Sequence, residues 1–166
     1  MRSSIKSKAF GTKRRSQRAR DSGQALVEFA LVLPLLMLII LIFVEFGLGF
    51  ARYNEVVNGA REGARLGAVG VLPDQIKARV IEKVPNVDLT PGDITVSYPD
   101  VDGNGTVDPG DSVVVRVTFT YDTVTPLGSF ASAFTLGAFP GTLTMTACAD
   151  MRLENAVNQP VGGTGC

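Results

Sequence analysis

The sequence predicts an α+β protein, in which a long N-terminal helix crosses a membrane and extends into a small extracytoplasmic head with one short helix and an antiparallel sheet of about three strands. Three observations predict it. Residues 29–44 carry no charge. Residues 52–69 contain no proline and repeat small residues at helical spacing. Beyond residue 94, three segments alternate apolar and polar side chains, the period of half-buried strands. The corresponding division is a basic cytoplasmic leader at 1–23, a membrane-spanning and extended helix at 24–70, and a head at 71–166.

The leader holds Arg2, Lys6, Lys8, Lys13, Arg14, Arg15, Arg18 and Arg20 against the single acid Asp21, a charge of +7. The whole chain is neutral, so everything after the leader sums to −7. Basic residues flanking a span stay in the cytoplasm, which places the N-terminus on the inner side of the cytoplasmic membrane and the acidic remainder outside it. A nucleic-acid-binding arm is the alternative for a basic run, but its position directly against a span argues for no nucleic-acid partner. From 29 to 51 the chain stays apolar apart from Glu45. At ~1.5 Å per residue it covers about 34 Å, enough for a hydrocarbon core of ~30 Å. A cleaved secretory signal is the competing reading, although its apolar region is usually only ~7–15 residues long. The Arg14-Arg15 pair is compatible with twin-arginine export, but the apolar core starts far downstream of it.

The span opens on Gly23-Gln24-Ala25-Leu26-Val27-Glu28-Phe29. A glycine after a basic segment, four uncharged residues and a lone glutamate entering a hydrophobic run form the layout of a prepilin processing site. A cut after Gly23 creates an α-ammonium on Gln24 that can pair with Glu28 of its own or a neighbouring helix. The structural alternative is a carboxylate favoured by the helix dipole in a first turn. Glu45 sits near the outer interface, where it can snorkel towards water. Pro34 is expected to kink or locally unwind the helix, as membrane helices tolerate.

Past the span, Gly59, Gly63 and Gly67 recur every fourth place beside Ala60, Ala64 and Ala68. Small residues at this spacing share a face and admit a close backbone. Each interior glycine costs about 1 kcal/mol against alanine, so close packing is expected in return, on the protein's own head or on a partner helix. Glu62 and Arg65 are spaced to pair at the edge of that stripe.

The segments GQALVEFALVLPLLMLIILIFVEFG (23–47) and NGAREGARLGAV (58–69) resemble the two signatures of the TadE-like family, pilin-like proteins of the tight-adherence (Flp) pilus and secretion system. The resemblance covers residues 23–69 and implies a leader removed by a dedicated prepilin peptidase, a membrane-held helix, a small pilin-like head, and partners among other pilin-like subunits and the pilus assembly machinery. The chain departs from the type IV pilin pattern in having Gln24, not an aromatic, as first mature residue.

In the head, Leu72-Pro73-Asp74 reads as a helix start, and Ile76, Val80, Ile81 and Val84 fall on one face before Pro85 and Pro91. The strands are centred on Ile94-Val96-Tyr98, on Val113-Val115-Val117-Phe119-Tyr121, and on Leu143-Met145-Ala147-Ala149-Met151-Leu153. Residues 125–140, rich in Phe, Gly and Ala, read as a loop with a short helix. Alternation places Cys148 on the polar face with Thr144 and Thr146, where a C-terminal tail can reach it. In an oxidising exported compartment, a Cys148–Cys166 disulfide is expected.

Residues 100–111 carry the one segment with site chemistry. Oxygen side chains stand at places one, three, five, nine and twelve (Asp100, Asp102, Asn104, Asp108, Asp111), Gly105 at the sixth, and Thr106 at the seventh, where a backbone carbonyl serves. That spacing wraps a chain around Ca²⁺ and resembles the calcium loops of EF-hand and dockerin-type proteins. Asp111 replaces the usual glutamate, and strands flank the loop; the alternative is a Gly-rich acidic turn. With no histidine and two cysteines, neither a histidine triad nor an imidazole or four-thiolate zinc site can be built. The glycine column lacks the spacing and lysine of a phosphate loop, and no catalytic residue is assigned. Two function classes remain: a minor pilin or pseudopilin that takes part in pilus assembly, and a single-pass anchored, calcium-modulated surface binding module.

Overall fold

The structure is a computed structural model. It describes residues 13–126, 128 and 142–166, with the backbone alone for 13–22. The leader's first twelve residues and most of the 125–140 segment, with its expected short helix, lie outside the described residues. The element order is α1 (Lys13–Ala68), α2 (Pro73–Lys83), a 3-10 turn (Pro91–Asp93), β1 (Ile94–Ser97), β2 (Ser112–Asp122) and β3 (Thr142–Arg152). This is the α+β fold expected, a long apolar helix, a second helix and a three-stranded antiparallel sheet in the order β1-β2-β3.

Helix α1 runs unbroken through Pro34. It ends where Gly70, at φ 87°, turns the chain: the Gly70 N–H bonds the Gly67 carbonyl at 2.9 Å and the Val71 N–H bonds the Leu66 carbonyl at 3.1 Å. These two bonds form a Schellman motif, and the left-handed residue it requires is supplied by a glycine at no steric cost. Helix α2 starts with proline at its first position, where no backbone donor is lost.

By compactness the chain divides into Met1–Ile42 and Phe43–Cys166. The second unit therefore contains α1 from Phe43 onward as well as residues 71–166, because that stretch of helix builds the head's core. One face of β2 buries Val113, Val115, Val117, Phe119 and Tyr121. Against it pack Val56, Ala60 and Ala64 of α1 and Ile76 and Val80 of α2. Fully burying each of the larger aliphatic side chains contributes about 1.5–3 kcal/mol. A second cluster joins Ala68, Tyr98, Val107, Val113 and Leu153 at the far end of β2.

Strand register runs Ile94↔Val117 to Ser97↔Val114 between β1 and β2, and Ser112↔Arg152 to Asp122↔Thr142 between β2 and β3. Alternation alone puts Val114 on the outer face, yet it is buried. The C-terminal tail supplies the cover. Gly162 bridges to Tyr98, Gly163 lies against Ser97, Gly165 lies against Asp150, and Ser97 and Asp150 are the two register partners of Val114.

Candidate functional site

The processing segment lies within α1. A side chain added at Gly23 meets nothing within 4 Å, and the residue is helical. Among the described residues, neither packing nor backbone conformation therefore demands glycine there. One turn on, the Gln24 side-chain amide donates to Glu28 Oε1 at 3.1 Å. Residues 24–37 are all exposed, so the carboxylate enters an apolar stretch with Gln24 as its neighbour in the described chain.

The glycine stripe points inward, onto the head. A Cβ at Gly59 falls 2.5 Å from Val84 Cγ2, at Gly63 2.7 Å from Val80 Cγ2, and at Gly67 2.7 Å from Val113 Cγ2. Of the two expected uses, the described contacts are with the protein's own α2 and β2. The helix edge beside them carries Arg65 bonded through both Nε and Nη2 to Glu62, each at 2.9 Å. That hydrogen bond and charge hold Glu62 below the usual carboxylate range.

Glu45 departs from expectation. It does not reach for water; it is 7 % exposed and turned into the head. Its Oε1 accepts from Tyr121 Oη at 2.5 Å and from the Val124 N–H at 3.0 Å. Its Oε2 accepts from the Thr125 N–H at 2.9 Å and from Thr125 Oγ1 at 2.5 Å. Four donors on one carboxylate offset its desolvation. Burial and the neighbouring carboxylate push the Tyr121 hydroxyl up to about 12, and Arg52 lies over the Tyr121 ring at 5.5 Å. This latch joins α1 to the end of β2 across 76 residues of sequence. A lone glutamate in an apolar run signals that a partner is needed, but alternation along β2 does not single out Tyr121, and nothing in the sequence identifies Thr125.

In loop 100–111, ligand oxygens of Asp100, Asp102 and Asp111 lie within 4.8 Å of one another. Asp111 is buried and staples the loop's two ends, accepting from the Val101 N–H at 2.8 Å and the Asp108 N–H at 3.0 Å. Asp100 accepts from the Gly103 and Gly105 N–H groups at 2.6 and 2.7 Å. Asn104 donates to Asp102 and Asp108, both at 2.9 Å, and its Oδ1 accepts from the Thr106 N–H at 2.8 Å. Asp108 is outside the carboxylate trio. The Gly105 N–H holds the Asp100 carboxyl below its usual value. Asp102, although the Asn104 N–H favours its charged form, is pushed up by desolvation and by the proximity of Asp100, Asp108 and Asp111. Carboxylate oxygens are hard donors of the kind that divalent cations take.

Cys148 and Cys166 are joined by a disulfide with their Cα atoms 5.8 Å apart. Helix α1 is long and apolar enough over Gly23–Ala68 to cross a membrane. Residues 23–65 match the family described as TadE-like protein. No curated protein and no solved structure matches the chain.

Proposed function

We propose that this protein is a minor pilin or pseudopilin of a tight-adherence (Flp-type) pilus or related secretion system, a non-enzymatic subunit anchored by one span with its head outside the cytoplasmic membrane. The TadE-like match over residues 23–65 supports the coarser assignment to a pilus-related role. The observation that carries the finer one is Gly23, a glycine with no packing or conformational duty lying five residues before Glu28, at the junction of the +7 leader and the span. A prepilin peptidase cuts between Gly23 and Gln24. The leader's charge orients the helix during insertion, and its removal lets the helix leave the bilayer without dragging cations across it. The new Gln24 ammonium then pairs with Glu28 of its own or a neighbouring subunit.

The test is the mass and N-terminal sequence of the protein from piliated cells. The mature chain is expected to begin at Gln24. Gly23→Leu is expected to block the cut, and Glu28→Ala to permit it while impairing pilus assembly. A wild-type chain that keeps residues 1–23 in cells making pili overturns this reading. It would favour the second one, an anchored binding module under calcium control, for which the Asp100, Asp102 and Asp111 cluster speaks.

A further inference from the structure

The latch at Glu45 has a counterpart in what surrounds it. Glu45 is the first charged residue after Glu28, and from residue 25 to residue 44 α1 is apolar apart from Glu28, near its cytoplasmic end, and almost wholly exposed. Those twenty positions cover about 30 Å at ~1.5 Å per residue, one hydrocarbon thickness. Glu45, the first residue past this run, is the one that the Tyr121 hydroxyl and the Val124 and Thr125 N–H groups hold.

At this level the head exposes apolar side chains, with Arg52 over the Tyr121 ring and the exposed Asp122 as the charged groups beside them among the described residues. Phe43 and Phe46 of α1 are 72 % and 73 % exposed. Val124, whose N–H bonds Glu45, is 58 % exposed, and Leu143, paired in register with Tyr121, is 45 % exposed. The helix, the segment just after β2 and the start of β3 therefore contribute exposed apolar side chains around one buried carboxylate. The sequence also sorts along this axis. No charged residue occurs from 123 to 149, whereas the acidic loop 100–111 joins the other end of the sheet. Soluble surfaces rarely concentrate bare apolar groups without a partner. The nearest apolar phase is the bilayer that the same helix enters one residue earlier.

We propose that this collar, Phe43, Phe46, Val124 and Leu143, is a lipid-contact surface. The head sits on the outer leaflet with Val124 and Leu143 in the headgroup and upper acyl region. The Glu45 latch holds the end of β2 beside this stretch of α1. The inference rests on the single-span anchoring but not on leader cleavage.

The chain has no tryptophan, so single-tryptophan variants report without background. Full-length protein with Leu35→Trp, Val124→Trp, Leu143→Trp or Val101→Trp is placed in phosphatidylcholine nanodiscs carrying acyl-brominated lipid. Leu35 lies in the span, and Val101 is an exposed control in the acidic loop. Tryptophan at 124 and 143 is expected to lose about half its emission, as an indole at the membrane interface should, while Val101→Trp keeps its emission. Quenching at 35 with none at 124 and 143 overturns the collar and leaves the anchor standing. No quenching at 35 overturns both. Emission at 124 and 143 that changes only when a second copy of the chain is added assigns the collar to subunit packing and overturns its assignment to lipid.

Discussion

At the scale of single residues, sequence-identical requirements can have opposite signs. Gly63 and Gly47 are both helical glycines in α1, and replacing either by alanine recovers about 1 kcal/mol of helix propensity. At Gly63 the new methyl falls 2.7 Å from Val80, 3.2 Å from Ile76 and 3.3 Å from Val115. Relieving contacts on three sides costs about 1–3 kcal/mol, so Gly63→Ala is expected to lower stability. At Gly47 it meets nothing within 4 Å, so Gly47→Ala is expected to raise it slightly. Denaturant melts of the two variants check this, and equal shifts would show that the stripe does not pack on α2 and β2. Asp93 makes a different kind of statement. Its carboxylate accepts from the Thr90 hydroxyl at 2.6 Å and from the Thr90 N–H at 2.8 Å, closing a capping box and holding the carboxyl below its ordinary 3.8. A depressed folded value means that the stabilisation is complete above 3.8 and is lost as pH falls through the lower, folded value. Asp93→Ala is expected to cost about 1 kcal/mol at neutral pH and progressively less in acid. A penalty that persists in full below the folded value would place its origin outside the carboxylate's charge.

At the scale of elements, loop 100–111 connects β1 to β2 and competes between two states of its carboxylates. Without a cation, backbone and amide N–H groups satisfy them, and Asp102 bears the repulsion of its neighbours. On the calcium reading, Ca²⁺ would convert that repulsion into coordination and stabilise the folded head by an amount set by its affinity. The head is expected to melt at higher temperature in calcium. Asp100→Ala combined with Asp102→Ala is expected to abolish the difference while keeping the fold, because neither side chain belongs to the core. If calorimetry finds the same melting temperature with calcium and with chelator, the loop is a turn alone. Asp111 is a poor choice for this test. Its buried carboxylate ties Val101 to Asp108, and its loss would unravel the loop with or without a cation.

At the scale of the molecule, the head is closed by its last residues. The tail crosses the outer face of the sheet, covers Val114 and ends in the bond from Cys166 to Cys148, 18 residues back. On the chain-entropy account a loop of this size stabilises by about 3 kcal/mol. Cys166→Ser is therefore expected to lower the denaturation midpoint, and reductant is expected to bring wild type down to the variant. If reductant leaves the wild-type midpoint unchanged, the bridge contributes nothing. The Arg116 guanidinium, 3.4 Å from the Gly165 carbonyl, is too weak a hold to replace it.

Much of this was determined locally and could be read along the chain. An uncharged run of the right length, a Leu-Pro-Asp helix start and period-two alternation are repeated signals that depend on neighbours a few residues away, and α1, α2 and the three strands follow them. The glycine column announced close packing for the same reason, since its cost to the helix requires compensation. What the pattern could not specify is who provides that compensation: α2 and β2 meet the stripe only once the chain has folded back on itself. Glu45 shows the limit most sharply. Hydropathy places it at the edge of a span and predicts a side chain bound for water, because along the chain water is the only visible source of donors. In the folded head Tyr121, Val124 and Thr125 supply four, from residues 76 to 80 positions away. Apolar burial is legible in sequence because it is non-directional and periodic, whereas hydrogen-bond pairing across such distances depends on geometry that only the tertiary structure decides.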